Sequence, residues 1–164
     1  MIEKILVANR GEIACRVFST AEKMGIATVA VYSDADADAL HVQMADEAIN
    51  IGPAASAESY LVIDKIIQAC RDTGADAVHP GYGFLSENSQ FRDALDDAGI
   101  VFIGPGKKAI ESMGDKITSK LIAEKAGVNC IPGYTDVVRD GDHSVEISAG
   151  IGYPVMLKAS AGGG

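Results

Sequence analysis

The stretch Thr73-Gly74-Ala75-Asp76-Ala77-Val78-His79-Pro80-Gly81-Tyr82-Gly83-Phe84-Leu85-Ser86-Glu87-Asn88 carries a helix end, a short apolar strand, a loop and the approach to another helix. Gly74 supplies the left-handed residue that ends helices. The apolar run Ala75 to Val78 reads as a strand, and a helical pattern begins near Ser89. His79 to Asn88 therefore leaves the carboxyl end of a strand, the end at which open α/β sheets bind ligands. Two glycines flank Tyr82, so the backbone there is free to take positive φ and admit a close partner. Pro80 fixes its own φ and biases His79 towards an extended conformation. A plain turn with Ser86 or Asn88 as helix cap explains the end of the loop. It does not call for two aromatics, a histidine and a glutamate within ten residues, and a binding loop is the stronger reading.

Working outward, the helix-Gly-strand junction recurs at Met24-Gly25-Ile26, Ala98-Gly99-Ile100 and Ala126-Gly127-Val128. The strands that follow (Ala27 to Tyr32, Ala77 to His79, Val101 to Ile103) are short and almost unbroken in apolar character, as in parallel strands covered on both faces. The first unit is a strand, Lys4 to Ala8, then a helix from about Gly11 to Met24 with Ile13, Val17, Phe18, Ala21 and Met24 as its apolar stripe. Glu47 to Ile51 reads as a brief strand. Ser59 to about Asp72 reads as a helix burying Ile63, Ile66, Ile67 and Cys70, and a later helix turns Phe91, Leu95 and Ala98 inward. Tyr60 is free to pack or to hydrogen-bond. The fold class is α/β, a Rossmann-like parallel sheet with Ile5, Val7, Val29, Val31, Val78 and Phe102 in its core. Lengths vary between units, which excludes a solenoid repeat.

Bulk properties narrow the function. A chain of 164 residues fits one domain, or one domain and the start of another. A net charge of -9 offers no basic footprint and argues against nucleic acid. Three cysteines (Cys15, Cys70, Cys130) show no CxxC spacing, and Cys15 and Cys70, on apolar helical faces, read as core residues and not as metal or redox sites. A strand pattern from Met1 and no long apolar span point to the cytosol, with no membrane partner.

Several local patterns resemble sites without completing them. Asn9-Arg10-Gly11 before a helix, with Asp34 downstream, lacks two of the three glycines of a dinucleotide loop. Asp34 to Asp38 lacks the glycine and closing glutamate of a calcium loop and reads as solvated, helix-capping aspartates. His41, alone on a short helix, reads as structural. Ile103 to Lys108 is not a Walker A string and reads as a turn into a helix with Lys107 and Lys108 exposed. Gly114 then breaks the helical run, and Asp115 caps a helix in which Ile117, Leu121 and Ile122 face inward. Lys116 stands in that helix's first turn against the macrodipole's preference, a hint of an anionic partner. Val128 to Gly141 is a connection and His143 to Ala149 a polar helix. Tyr153 to Lys158 reads as a strand, and Lys158 leads into Ala159-Ser160-Ala161-Gly162-Gly163-Gly164, whose backbone N–H groups suit phosphate.

Four strings in order, Ile5-Leu6-Val7-Ala8-Asn9-Arg10-Gly11-Glu12-Ile13-Ala14, His79 to Asn88, Met113-Gly114-Asp115-Lys116 and Gly152 to Ser160, resemble the biotin carboxylase family over the length of the chain. The wording of Ala14-Cys15-Arg16-Val17 and Ala159 to Gly164 is most similar to the α subunits of acyl-CoA carboxylases of the propionyl-CoA type. The resemblance implies ATP-dependent carboxylation of biotin with bicarbonate through carboxyphosphate. It implies an amino-terminal, pre-ATP-grasp domain over residues 1–113 and the start of an ATP-grasp domain over 114–164, cut within its glycine loop. Tyr82, Gly83 and Glu87 would line the biotin site, and Lys116, Lys158, Gly162, Gly163 and Gly164 would meet ATP. The Mg2+ ligands and general base would lie further on, so the chain by itself is expected to be inactive, with no catalytic or metal-binding residue of its own. The implied partners are a biotin carboxyl carrier domain and a carboxyltransferase β subunit, in an oligomer. The implied location is the cytosol, or the mitochondrial matrix after removal of a transit peptide. Two alternatives remain open: another ATP-grasp ligase, such as a purine-pathway carboxylating enzyme, and a flavodoxin-like receiver. The loop Tyr82 to Asn88 is of no use to the former. The latter needs aspartates at strand ends, where Asn9 and Arg10 stand.

Overall fold

The first strand in sequence is the middle strand of the sheet. β1 (Lys4–Val7) pairs in parallel with β2 (Ala27–Ser33) on one side and with β4 (Ala77–His79) on the other. β3 (Glu47–Gly52) extends the sheet beyond β2, and β5 (Val101–Phe102) extends it beyond β4, giving the order β3-β2-β1-β4-β5. All five strands are parallel. The computed structural model describes residues 1–114 and 116–158, with Lys116 described by its backbone alone. Its residues divide into two compact units, Met1–Lys107 and a second from Lys108 onward.

Helices complete the first unit: α1 (Gly11–Lys23), α2 (Leu40–Met44), α3 (Ile63–Thr73) and α4 (Ser89–Asp97). The crossover from β1 to β2 runs one way along the sheet and that from β4 to β5 the other. Right-handed connections therefore put α1 and α4 on opposite faces. Side-chain alternation agrees: Val7 packs with Ala14 and Phe18, and Ile5 with Ala21, leaving Leu6 for the other face. All six expected core residues are buried. Burying a side chain of this size stabilises by about 1.5–3 kcal/mol, so these strands carry much of the unit's stability. The four junction glycines, Gly25, Gly74, Gly99 and Gly127, all take φ between 68° and 72°, the conformation their place after a helix requires.

Two helix readings are corrected. The buried stripe of α1 is Ala14, Phe18 and Ala21, whereas Met24 is the exposed C-cap. α3 starts at Ile63 rather than Ser59. The Ser59 hydroxyl donates to the Ala55 carbonyl at 2.8 Å and closes a local turn, so its φ of -135° and ψ of -92° are not helical.

In the second unit, α5 (Lys107–Gly114), which begins on the last residue of the first, is followed by α6 (Lys116–Lys125) and α7 (Gly141–Ile151). The Asp140 carboxylate caps α7 by accepting the His143 N–H at 2.8 Å. Leu121 and Ile122 of α6 are exposed, against the expectation that they face inward, because this unit's described residues bury only Ile110 and Ser148. Residues 153–158 are not a strand. A strand needs a neighbour to satisfy its backbone, and the second unit has no strand among the described residues to pair with it. The expected cap Asp115 and the run Ala159 to Gly164 lie outside the described residues.

Candidate functional site

The chain leaves β1 towards β2 and β3, then returns to place β4 on β1's other side. The loops after β1 and β4 diverge at that switch point, and the crevice between them is where such sheets bind ligands. Asn9, at the end of β1 and buried, ties the two loops together. Its side-chain Nδ2 donates to the carbonyls of Pro80 (3.0 Å) and Tyr82 (2.8 Å), and its Oδ1 accepts the Arg10 N–H at 2.9 Å. Gly81 lies directly against this amide with φ of 67°, and a Cβ there would sit 2.7 Å from Asn9 Nδ2. His79 Nδ1 accepts the Gly81 N–H at 3.0 Å, so its imidazole is neutral with the proton on Nε2. Burial pulls its pKa below the ordinary 6.5.

The far half of the loop is held differently. Phe84 has φ of 43°, the one non-glycine positive φ among the described residues. Holding an L-residue there costs about 1–2 kcal/mol. Its ring stacks on Tyr60 with centroids 5.1 Å apart and planes 5° from parallel. An aromatic pair contributes about 0.5–1.5 kcal/mol beyond burial. The neighbouring Leu85 is buried and adds about 2 kcal/mol, so the strained turn is offset.

Tyr60 is only 2% exposed and does both things the sequence left open. Besides stacking, its hydroxyl donates to Asp36 Oδ2 at 2.7 Å and accepts the Ser33 N–H at 3.1 Å. Asp36 also accepts from the Ser33 hydroxyl at 3.2 Å and from Arg10 at 2.5 Å. This corrects the reading of Asp34 to Asp38 as solvated caps at Asp36, which is only 8% exposed, whereas Asp34 and Asp38 are exposed. Burial alone would raise its pKa, but the Tyr60 hydroxyl and the Arg10 guanidinium outweigh that and hold it below the carboxylate range. Arg10 is half exposed, so the ion pair itself contributes no more than about 1 kcal/mol, and the buried hydroxyls matter more. Burial and the Asp36 contact push the Tyr60 phenol up to about 12.

Tyr82 and Glu87 stand out from this anchored base. Tyr82 is 60% exposed, and its hydroxyl donates to Glu12 Oε1 at 2.6 Å in the first turn of α1, a bond that raises the phenol's pKa. Glu87 is exposed, and Asn88 caps α4 by accepting the Phe91 N–H at 3.0 Å. Tyr82, Gly83 and Glu87 are thus all exposed on a loop whose base is held by Asn9, His79 and Tyr60. Of the other expected site residues, Lys158 is exposed on an irregular segment. The Lys116 side chain and Gly162, Gly163 and Gly164 lie outside the described residues. Sequence reasoning misses Asn9, Asp36, Tyr60 and Phe84 as supports. No local pattern links residues 24 apart, and only the positive φ of Phe84 betrays the strain.

His41 is structural, as expected. It is buried, its Nε2–H donates to the Val31 carbonyl at 3.2 Å and its Nδ1 has no partner. Burial pulls its pKa below 6.5. Below about pH 6.5 the unfolded chain protonates His41 and His79 while the folded chain resists, so stability declines as the pH falls. Asp36 acts in a lower window: its contribution is full above the ordinary 3.8 and is lost as pH falls through its lowered folded value. The urea midpoint of the chain should therefore drop between about pH 7 and 5. His41→Gln and His79→Gln should each flatten that slope. A midpoint insensitive to pH over this range in the unaltered chain would contradict the assignment.

Comparison with known proteins agrees with this fold. The family described as "Biotin carboxylase, N-terminal domain" matches residues 1–110, and that described as "Carbamoyl-phosphate synthase L chain, ATP binding domain" matches residues 115–164. A propionyl-CoA carboxylase alpha chain of Ruegeria pomeroyi is 66% identical over 164 residues, covering 100% of this chain and 24% of that protein. The chain thus spans about a quarter of the length of this curated relative. The biotin carboxylase–βγ-ATP complex from Campylobacter jejuni superposes with a TM-score of 0.93 at 48% identity, covering 100% of this chain and 37% of that one. The biotin carboxylase domain of Hydrogenobacter thermophilus 2-oxoglutarate carboxylase, solved with MgADP, ADP and bicarbonate, gives a TM-score of 0.90 at 48% identity, covering 100% and 36%. No helix of the described residues is long and apolar enough to cross a membrane. With a switch-point loop of this build and a matching family over residues 1–110, this chain belongs to the biotin carboxylase family and carries its N-terminal domain.

Proposed function

We propose that this chain is the amino-terminal part of the α subunit of a propionyl-CoA-type acyl-CoA carboxylase, acting in the ATP-dependent carboxylation of biotin with bicarbonate. In this reading residues 1–113 form the pre-ATP-grasp domain and 114–164 begin the ATP-grasp domain. The observation that carries it is the loop after β4: Asn9 and His79 hold its base while Tyr82 and Glu87 project beside two glycines at the switch point. That arrangement suits a flat bicyclic ring, with an aromatic face at Tyr82, close backbone approach at Gly83 and a polar contact at Glu87. Biotin, brought on a carrier domain, supplies the nitrogen that accepts the carboxyl group; this loop's part is to bind and orient the ring. Lys116, Lys158 and Gly162 to Gly164 would hold ATP with Mg2+ bound by ligands elsewhere. A carboxyltransferase β subunit would consume the carboxylated carrier. The purine-pathway alternative is not favoured, since the relative and structures named above are a propionyl-CoA carboxylase alpha chain and biotin carboxylases.

In the complete enzyme, Tyr82→Ala should raise the KM for biotin well above wild type while the KM for ATP moves little. Loss of the exposed Tyr82 ring removes one face of the site and its bond to Glu12, without opening the buried base. Steady-state kinetics with free biotin check this. Equal increases for both substrates would count against the loop as a biotin site.

A further inference from the structure

Resting on the reading of the His79 to Asn88 loop as the biotin site, we propose that Tyr60 is a positioning residue for the reaction. Stacked against Phe84, its ring holds the carboxyl half of the loop and so determines where Tyr82, Gly83 and Glu87 meet biotin.

The loop needs two anchors, and the structure provides two of different kinds. Asn9 and His79 fasten its first half by hydrogen bonds to Pro80, Gly81 and Tyr82. They leave Gly83 (φ of 65°) and Phe84 (φ of 43°) to be held by something else. A glycine beside a strained residue is a natural pivot, since glycine has alternatives on both sides of φ = 0. A phenylalanine keeps a positive φ only where its surroundings over-determine it. The surroundings here are the Tyr60 ring, parallel to within 5° at 5.1 Å, and the buried Leu85 that follows. Tyr60 is fit to be an anchor because it is itself immobile. Its hydroxyl is bonded to the Ser33 N–H at the end of β2 and to Asp36 in the turn beyond. The order of the sheet is thereby passed through one ring to a loop rooted on β4. The Ser86 N–H to Gly83 carbonyl bond at 2.9 Å then carries that placement on towards Glu87.

The test uses the complete carboxylase and four variants, with KM values for free biotin and for ATP, and circular dichroism to report folding. Tyr82→Ala asks whether the loop is the biotin site at all. Phe84→Gly removes the stacked ring while accepting the positive φ, and Tyr60→Leu removes the stack from the other side. Tyr60→Phe keeps the ring and loses the hydroxyl. A misplacement of about 1 Å at a reacting site is enough for a hundredfold effect, so Phe84→Gly and Tyr60→Leu should raise the biotin KM by about tenfold. The ATP KM should stay within about twofold, and Tyr60→Phe, which keeps the stacked ring but frees it from Ser33 and Asp36, should raise the biotin KM by less than Tyr60→Leu does. If Tyr82→Ala raises the biotin KM but Phe84→Gly does not, the positioning role is overturned and the biotin site stands. If Tyr82→Ala leaves the biotin KM unchanged, the site reading fails and this proposal with it. Parallel rises for biotin and ATP in Phe84→Gly would also overturn it, as a general folding effect. Should Tyr60→Leu lose its circular dichroism signal, Phe84→Gly, altered at the surface side of the stack, decides alone.

Discussion

Replacing Lys158 by alanine in the complete enzyme should depress bicarbonate-dependent ATP cleavage by about a hundredfold or more, and Lys116→Ala should act on the same scale. Phosphoryl transfer asks the protein for positioning and for charge neutralisation at the phosphate oxygens. A chain with a net charge of -9 sets an unfavourable background for that task, so individual cations must act locally. Removing one such contact costs about 3 kcal/mol at the transition state. Lys158 is exposed on a segment without regular structure, and its loss should leave the fold as it is. Single-turnover ATP cleavage, with the unfolding temperature as control, checks the prediction. A loss below about threefold with either variant would remove that lysine from the proposed phosphate site.

The second large effect is expected at Gly81. Gly81→Ala should destabilise the first unit by about 3 kcal/mol, combining a backbone part of about 1–2 kcal/mol with a contact part of about 1–3 kcal/mol. The backbone part arises because a non-glycine residue would be held at φ of 67°. The contact part arises because the new Cβ would stand 2.7 Å from Asn9 Nδ2, 3.0 Å from its Cγ and 3.1 Å from its Cβ. Asn9 is buried and has no room to retreat without giving up its bonds to the Pro80 and Tyr82 carbonyls, which would leave buried groups unsatisfied. Gly83 provides the internal reference. It has φ of 65° but nothing within 4 Å of where an added methyl would stand, so Gly83→Ala should show the backbone part alone. Urea unfolding of the two variants separates the parts, and equal losses would mean that the Asn9 amide does not clamp the loop.

Much of the first unit was legible because its signals are local. Gly25, Gly74 and Gly99 end helices by a rule that depends on one residue's backbone, and the apolar strands after Gly25 and Gly74 have no exposed face to alternate with, whereas Val101 on the edge strand β5 is exposed. The supports of the loop were not legible, because Asp36 and Tyr60 owe their roles to neighbours brought together by the sheet. An aspartate in Asp-Ala-Asp-Ala-Asp looks solvated until Tyr60 and Arg10 are placed around it. The second unit shows the converse. Tyr153 to Lys158 has the composition of a strand, yet composition does not supply the hydrogen-bonding neighbour that makes one. Leu121 and Ile122 likewise have helical spacing without a surface among the described residues of their own unit to bury against.

The place of β1 has a consequence for how the chain reaches this fold. The strand made first sits in the middle, and its two sides are completed by segments at very different distances along the chain. Its pairing with β2 closes a short crossover, whereas its pairing with β4 joins Ile5 to Ala77. Closing a loop of that length costs roughly 4 kcal/mol of chain entropy before any contact compensates. Until β4 pairs, the apolar edge of Lys4–Val7 is open as a template for any passing strand. Arrival of β4 both seals that edge and brings the Pro80 and Tyr82 carbonyls to Asn9. The pairing that seals this edge is also the one that assembles the loop after β4, so a chain in which the loop is formed no longer carries an open edge on β1.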